Sequence, residues 1–271
     1  MTTSVHGSGR SRWIARWLIL ILVMGYLIVP LFSMLEFSTR GPKGPAGFTR
    51  TADAWVAITQ SEDLLGVIVL SLGIALLTVL GMLALLVTTM TWAHLRVPRM
   101  RRVIEFLCLL PLAIPAVVLV VGIAPIYREL RVNVSSSPLM LAFIYLVLVL
   151  PYAYRSIDGG LRSVDVNTLA DAARSLGAGW TRVMLQIIFP NIRTAILSAA
   201  VLSVALVLGE YTISSLLSYH TFQVVIYALG KRDASIAVAV SFAALLFVFA
   251  LLLAISHFGS GHRREQTVDE E

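Results

Sequence analysis

Cysteine is almost missing from this chain: there is one, Cys108, in 271 residues. A single thiol cannot close an intrachain disulfide or build a thiolate metal site, so Cys108, set in an apolar run, reads as a small buried hydrophobe. Charge is scarce as well, at 13% Asp, Glu, Lys and Arg, where soluble domains carry about 25%. That scarcity excludes an ordinary water-soluble domain. Low-complexity tracts and internal repeats are absent outside two polar tails, so the chain reads as one domain of packed helices rather than a string of modules. No phosphate-cradling G-x-x-x-x-G-K-[ST] occurs: Gly230-Lys231 has Val225 where the first glycine belongs and Arg232 where a hydroxyl belongs. The chain is therefore not expected to hydrolyse ATP itself. His6, His94, His220, His257 and His262 stand apart with no ligand spacing, which points to no metal site. No nucleophile, base and orienter come together in the sequence, which points away from an enzyme.

Hydrophobic residues make up 58% of the chain, and its mean hydropathy is +0.87. Crossing the hydrocarbon core takes about 20 apolar residues. Six stretches qualify: Trp13–Phe37, Leu64–Leu95, Val103–Tyr127, Pro138–Ile157, Thr194–Ser218 and Ile236–Phe258. The expected class is an all-α membrane protein with six spans. The first stretch follows Arg10, Arg12 and Arg16 but is too long for a cleaved leader and lacks a clean small-x-small site, so it reads as an uncleaved anchor. With the N-terminus inside, 14 Lys and Arg fall on cytoplasmic segments and 7 on external ones, which places both termini in the cytoplasm. The net charge of +6 is then a matter of lipid topology, not of nucleic acid. The run Arg96, Arg99, Arg101, Arg102 fits headgroup contact.

These spans divide the chain into a tail (1–12), a first span with an external segment (13–63), a core (64–258) and a second tail (259–271). The external segment opens with "STRGPKGPAG", which is turn chemistry, and continues into "TADAWVAI", a candidate short surface helix. Pro111 and Pro115, one helical turn apart in the third span, are expected to kink it. Glu210 is the one carboxylate deep in an expected span, and a charge there costs at least ~2.5–3.5 kcal/mol. On a continuous helix Ser203, Leu206, Glu210 and Ser214 would form one stripe. Two readings stand side by side: a polar lining of a substrate path (Ser203, Glu210, Ser214), or a hydrogen-bonded packing element.

The segment from Asp158 to Arg193 is too polar to span a membrane. "NTLADAARSLG" has the marks of a short helix, with Thr168 and Asp171 as an approximate capping box and Gly177 as a left-handed cap. "WTRVMLQII" can start a second helix, which Pro190 is expected to break or redirect before the next span. Ala172 and Ala173 would give the first helix a low-profile face. This stretch resembles the signature loop of the membrane subunits of bacterial ABC importers, Glu-Ala-Ala, three residues, Gly, nine residues, Ile-x-Leu-Pro. Here it stands as Asp171-Ala172-Ala173, Gly177, Ile187, Phe189 and Pro190, with every spacing kept and Asp and Phe in place of Glu and Leu. "LPLAIPAVVLVVGIA" (Leu110–Ala124) and "LGEYTISSLL" (Leu208–Leu217) resemble the family's third and fifth spans.

The resemblance implies a bacterial inner-membrane permease that carries no cofactor of its own. Asp171, Ala172, Ala173, Gly177, Ile187 and Pro190 would belong to a loop that docks on a cytosolic ATPase. The implied partners are two ATPase subunits holding ATP and magnesium, a second permease subunit, identical or homologous, and an external substrate-binding protein. Polyamine is the leading substrate class by the look of the third and fifth spans. Ferric iron, sulfate, thiamine and phosphonate are the alternatives within the family, and a gradient-driven secondary transporter is the alternative outside it.

Overall fold

The computed structural model describes the backbone of residues 8–44 and 47–260; most of the two tails, with His6 and His262, and Pro45 and Ala46 lie outside the described residues. In chain order the elements are α1 (Ser8–Ser38), β1 (Arg40–Gly44), β2 (Gly47–Arg50), α2 (Asp53–Gln60), α3 (Glu62–Arg96), α4 (Met100–Leu109), a 3-10 turn (Leu110–Ala113) and α5 (Ala116–Asn133). A second 3-10 turn (Pro138–Met140) leads into α6 (Leu141–Arg162), α7 (Val166–Ser175) and α8 (Trp180–Arg182). A π-helical stretch (Val183–Ile188) follows, then α9 (Phe189–Asn191), α10 (Arg193–Gly209), α11 (Thr212–Leu216), α12 (Phe222–Gly230) and α13 (Ala234–Ser260).

Among the described residues four helices are long and apolar enough to cross a membrane, and six spans result if each of two bent helix pairs counts as one. α3, with 35 residues, is about 50 Å long at 1.5 Å per residue, so it outreaches a hydrocarbon core of about 30 Å. Two expected spans are broken rather than straight. The third bends by 101° between Met100–Ala113 and Ala116–Asn133. Ile114, extended because it precedes a proline, and Pro115 (φ −58°, ψ 139°) make the corner. Pro111 sits at the start of a 3-10 turn, where no backbone donor is needed. The fifth span ends at Gly209, because Glu210 takes an extended conformation (ψ 121°) before α11 begins.

The chain divides into two compact units. One holds the described residues up to Ser61 together with Ala228–Ala244; the other holds Glu62–Tyr227 and the described residues from Leu245. In the first, the expected turn is a two-stranded antiparallel hairpin with Arg40 opposite Arg50, a small exception to an all-helical chain. Glu36 bonds both arginines, at 2.7 Å to Arg40 and 3.1 Å to Arg50. This hydrogen-bonded pairing holds the Arg40 guanidinium above its ordinary pKa. The surface helix expected in "TADAWVAI" forms as α2, where Trp55 donates to the Ser38 hydroxyl and meets Phe242 edge-on. Residues 13–37 of α1 are not buried, and Ser38 at its end is.

The second unit is built on α3, α6 and α10, which pack on one another. Its core includes Ile74, Met82, Leu86 and Met90 of α3, Leu141, Ile144, Tyr145, Val149 and Ile157 of α6, and Ala199 of α10. α6 and α10 approach closely at Gly160, where a Cβ would collide with that of Ala195. The Ser156 hydroxyl donates to the Ala195 carbonyl at 2.9 Å at the same crossing. The two arms of the Asp158–Arg193 segment are thereby pinched together at its root.

Candidate functional site

The segment forms two helical arms around a glycine, but its start lies earlier than the sequence suggests. α7 begins at Val166, and its cap is Asp165, not a box of Thr168 and Asp171. One Asp165 oxygen accepts from the Thr168 amide at 3.3 Å and the other from the Thr168 hydroxyl at 2.6 Å. Those bonds hold the Asp165 carboxyl below its ordinary pKa. The stability they give is full above the unfolded-state pKa and fades as pH falls through the folded one. Asp171 therefore lies beyond the first turn and is exposed.

The small residues of α7 point two ways. Val166 and Ala170 are buried and Ala173 packs beside them on the core, spaced four and three apart along one face. Ala172 lies outside with Asp171 and Ser175. Gly177 ends the helix at φ +83°. Its amide donates to the Arg174 carbonyl at 2.9 Å, and the Ala178 amide reaches back to the Ala173 carbonyl at 3.0 Å. That pair of bonds is the Schellman cap, which needs a left-handed residue at the glycine position. Just before it, Leu176 is 90% exposed. Sequence reasoning passed over Leu176, although an apolar residue at the tip of a polar helix is a readable signal.

The returning arm is redirected before α10 rather than broken. Pro190 does not break it: helix runs from Trp180 to Asn191 and bends by 76° into α10 only at Ile192. The π-helical stretch explains this. Its wider turn, in which the Phe189 amide bonds Met184, moves carbonyls away from the ring that an α-helix would crowd. Val183, Met184, Ile188 and Ile192 are buried and anchor the arm. Ile187 and Phe189 are half-buried and Pro190 is exposed. The Arg96 guanidinium lies 5.5 Å from the Trp180 ring centre, so one member of the basic run touches the loop directly.

Ser203, Glu210 and Ser214 do not form one helical stripe, because the helix stops between the first and the second. The Glu210 carboxylate instead caps α11. It accepts from the Ile213 amide at 2.7 Å, the Ser214 amide at 3.3 Å and the Tyr145 hydroxyl of α6 at 2.8 Å. Ser203 is fully buried and donates to the Ala199 carbonyl. Ser214, also fully buried, accepts from Thr221 at 2.8 Å. Residues from Glu210 to Phe222 are held further by Arg131, which donates to the Leu217 carbonyl, and by Ser71, which accepts the Phe222 amide. None of these partners was legible from the sequence.

Residues 85–260 match the family described as binding-protein-dependent transport system inner membrane component. The chain is also similar to the probable sulfate transport system permease protein cysT of Nephroselmis olivacea. The two are 24% identical over 267 residues, covering 91% of this chain and 89% of the relative. The relative is named for sulfate, one of the expected alternatives, and the comparisons lend no support to a polyamine.

Proposed function

The chain belongs to the family of binding-protein-dependent transport system inner membrane components, and from that premise we propose that α7 and the Gly177 turn are its docking element for a cytosolic ATPase. An ABC importer permease is a transport subunit rather than an enzyme, and it works with an ATPase and a binding protein. The observation that carries the docking role is Leu176. The inner stripe of α7 is fixed to the core, yet a leucine 90% exposed projects beside a rigid cap. Burying such a side chain in a partner contributes roughly 1.5–3 kcal/mol. Asp171 and Ala172 flank it, Gly177 sets its direction, and Ile187 and Pro190 belong to the arm that returns the motion to α10.

In this reading two ATPases close on ATP and draw the loops of two permease subunits together, and the pinch at Gly160 and Ala195 passes the movement to α6 and α10. Ser203, Glu210 and Ser214 are assigned to the architecture of the broken fifth span, which their internal partners support. With Glu210 so engaged, no carboxylate speaks for a cationic cargo, and a small oxyanion such as sulfate becomes the proposed substrate. Titrating the partner binding protein with sulfate and with spermidine tests this: tight spermidine binding would reverse the assignment.

The loop must be cytoplasmic for any of this to hold. Single cysteines at Ser8, Ser61 and Ser163 are expected to react with an impermeant thiol reagent from outside only at Ser61. Native Cys108 is buried and should give little background. Outside labelling of Ser163 would overturn the orientation and the docking together.

A further inference from the structure

Asp158 is placed by sequence at the start of the loop, but it lies inside α6 one turn before the helix ends, and it is 6% exposed. Arg162, one turn on, forms an ion pair with it, its Nε 2.7 Å from Oδ2. Its Oδ1 has no hydrogen-bond partner among the described residues, and neither does the buried Nε2 of His94. These two atoms face each other at 3.9 Å across the α3–α6 contact. His94 Nδ1 lies 3.0 Å from the Met90 carbonyl. A carbonyl only accepts, so Nδ1 carries a proton, and in the neutral ring Nε2 is then a bare acceptor. With the ring neutral, two buried acceptors confront each other, an arrangement that costs free energy until a donor arrives.

The donor at hand is Arg101 of α4. Its Nη2 stands 3.8 Å from Asp158 Oδ1, just beyond bonding distance, and its side chain is 36% exposed, against 9% for Asp158. A cavity lined by Met90, Ala93, His94, Arg101, Ile104 and Tyr154 lies alongside, with room for about one water. A shift of about 1 Å would bring Arg101 into bonding range. A guanidinium carries five donors in a fork and can serve a carboxylate oxygen and an imidazole nitrogen together.

We propose that Arg101 is a positioning residue for transport, a latch that closes on Asp158 Oδ1 and His94 Nε2 in one state of the cycle and withdraws in the other. Arg162 holds Oδ2 in both states, so the carboxylate is never wholly unpaired. Closing fastens α4, and with it the broken third span, to α3 and α6 at the root of the loop. The latch rests on the docking role assigned to α7, because it is the loop's movement that opens and closes it.

The test uses the whole importer in liposomes with its ATPases and binding protein. Arg101→Gln is expected to keep its ATPases and its melting temperature while stimulation of ATP hydrolysis by loaded binding protein, and uptake with it, falls about tenfold. Arg101→Lys should restore most of both. The double variant Arg101→Gln with Asp158→Asn should be no worse than Asp158→Asn alone, because both remove one contact. Full stimulation in Arg101→Gln overturns the latch, as do losses that multiply in the double variant. A loss that merely follows the melting temperature or ATPase retention would reduce Arg101 to a structural residue and overturn it as well. Failure of the docking role is read separately, as a Leu176→Asp complex that keeps its ATPases.

Discussion

Gly177→Val is expected to abolish most uptake while the protein still inserts and folds. A Cβ at this position meets nothing within 4 Å, so the penalty is conformational. At φ +83° a β-branched residue is strained by roughly 1–3 kcal/mol. Relaxing φ to a negative value would give up both Schellman bonds and re-aim Leu176 and Trp180. A docking surface turned aside in this way should lose its ATPase on purification. Gly177→Asn tolerates the left-handed region better and should retain part of the activity. Leu176→Asp separates docking from folding, because an exposed substitution changes stability by about 0.5 kcal/mol or less, yet ATPase binding should be lost. Ala173→Arg is a poorer probe since Ala173 packs on the core; the exposed Ala172 is the clean position, as Ala172→Arg. A Leu176→Asp or Gly177→Val complex with tightly bound ATPase and normal uptake would refute the docking role.

Glu210→Leu is expected to unsettle the segment from Glu210 to Phe222 and to lower stability and uptake together. It strips acceptors from the Ile213 and Ser214 amides and from the Tyr145 hydroxyl. Hydrogen bonds to a charged group are worth about 1.5–3 kcal/mol each, and since amides near the helix start can find water, a total of about 3–5 kcal/mol is the expected cost. Glu210→Gln keeps an oxygen for the amides and an NH2 group that can face the tyrosine oxygen, so it should lose only about 1 kcal/mol and keep most uptake. Tyr145→Phe should fall between the two. Melting temperature and uptake measured across the three variants decide the matter. If Glu210→Gln is as stable as the parent but transports poorly, the carboxylate's charge acts on the cargo and the packing assignment is wrong.

What the sequence discloses is what lies close together in it. The six apolar stretches, the surface helix in "TADAWVAI" and the left-handed Gly177 are all written in windows of a few residues. The spacing from Asp171 to Pro190 is also local, and it carries the family. The misses share a different character. Glu210 meets Tyr145 across 65 positions, and Asp158 meets His94 and Arg101 from three different helices, so no periodicity could announce them. The break at Gly209 follows from that distant pairing, because the carboxylate serves better as a cap for α11 than as a point on a continuous stripe. Asp165 was readable as a cap, but Thr168, another capping type three residues on, competed with it.

The π-helical stretch Val183–Ile188 also fixes how the returning arm tolerates changes in length. Successive α-helical residues are 100° apart about the axis, and bonding five residues back takes up one more residue per turn than bonding four back. Removing one exposed residue there, such as Gln186, would let the stretch close as ordinary α-helix with its hydrogen bonds intact. Because the wider turn has already absorbed that residue, the helix before it and the helix after it would keep nearly the same bearing about the axis, and Trp180 would stay beside Arg96. The stretch is thus a place where one residue can be lost without turning the loop tip, whereas the same deletion in a plain α-helix would turn its two ends by about 100° against each other. Its buried Val183, Met184 and Ile188 are the positions that must stay.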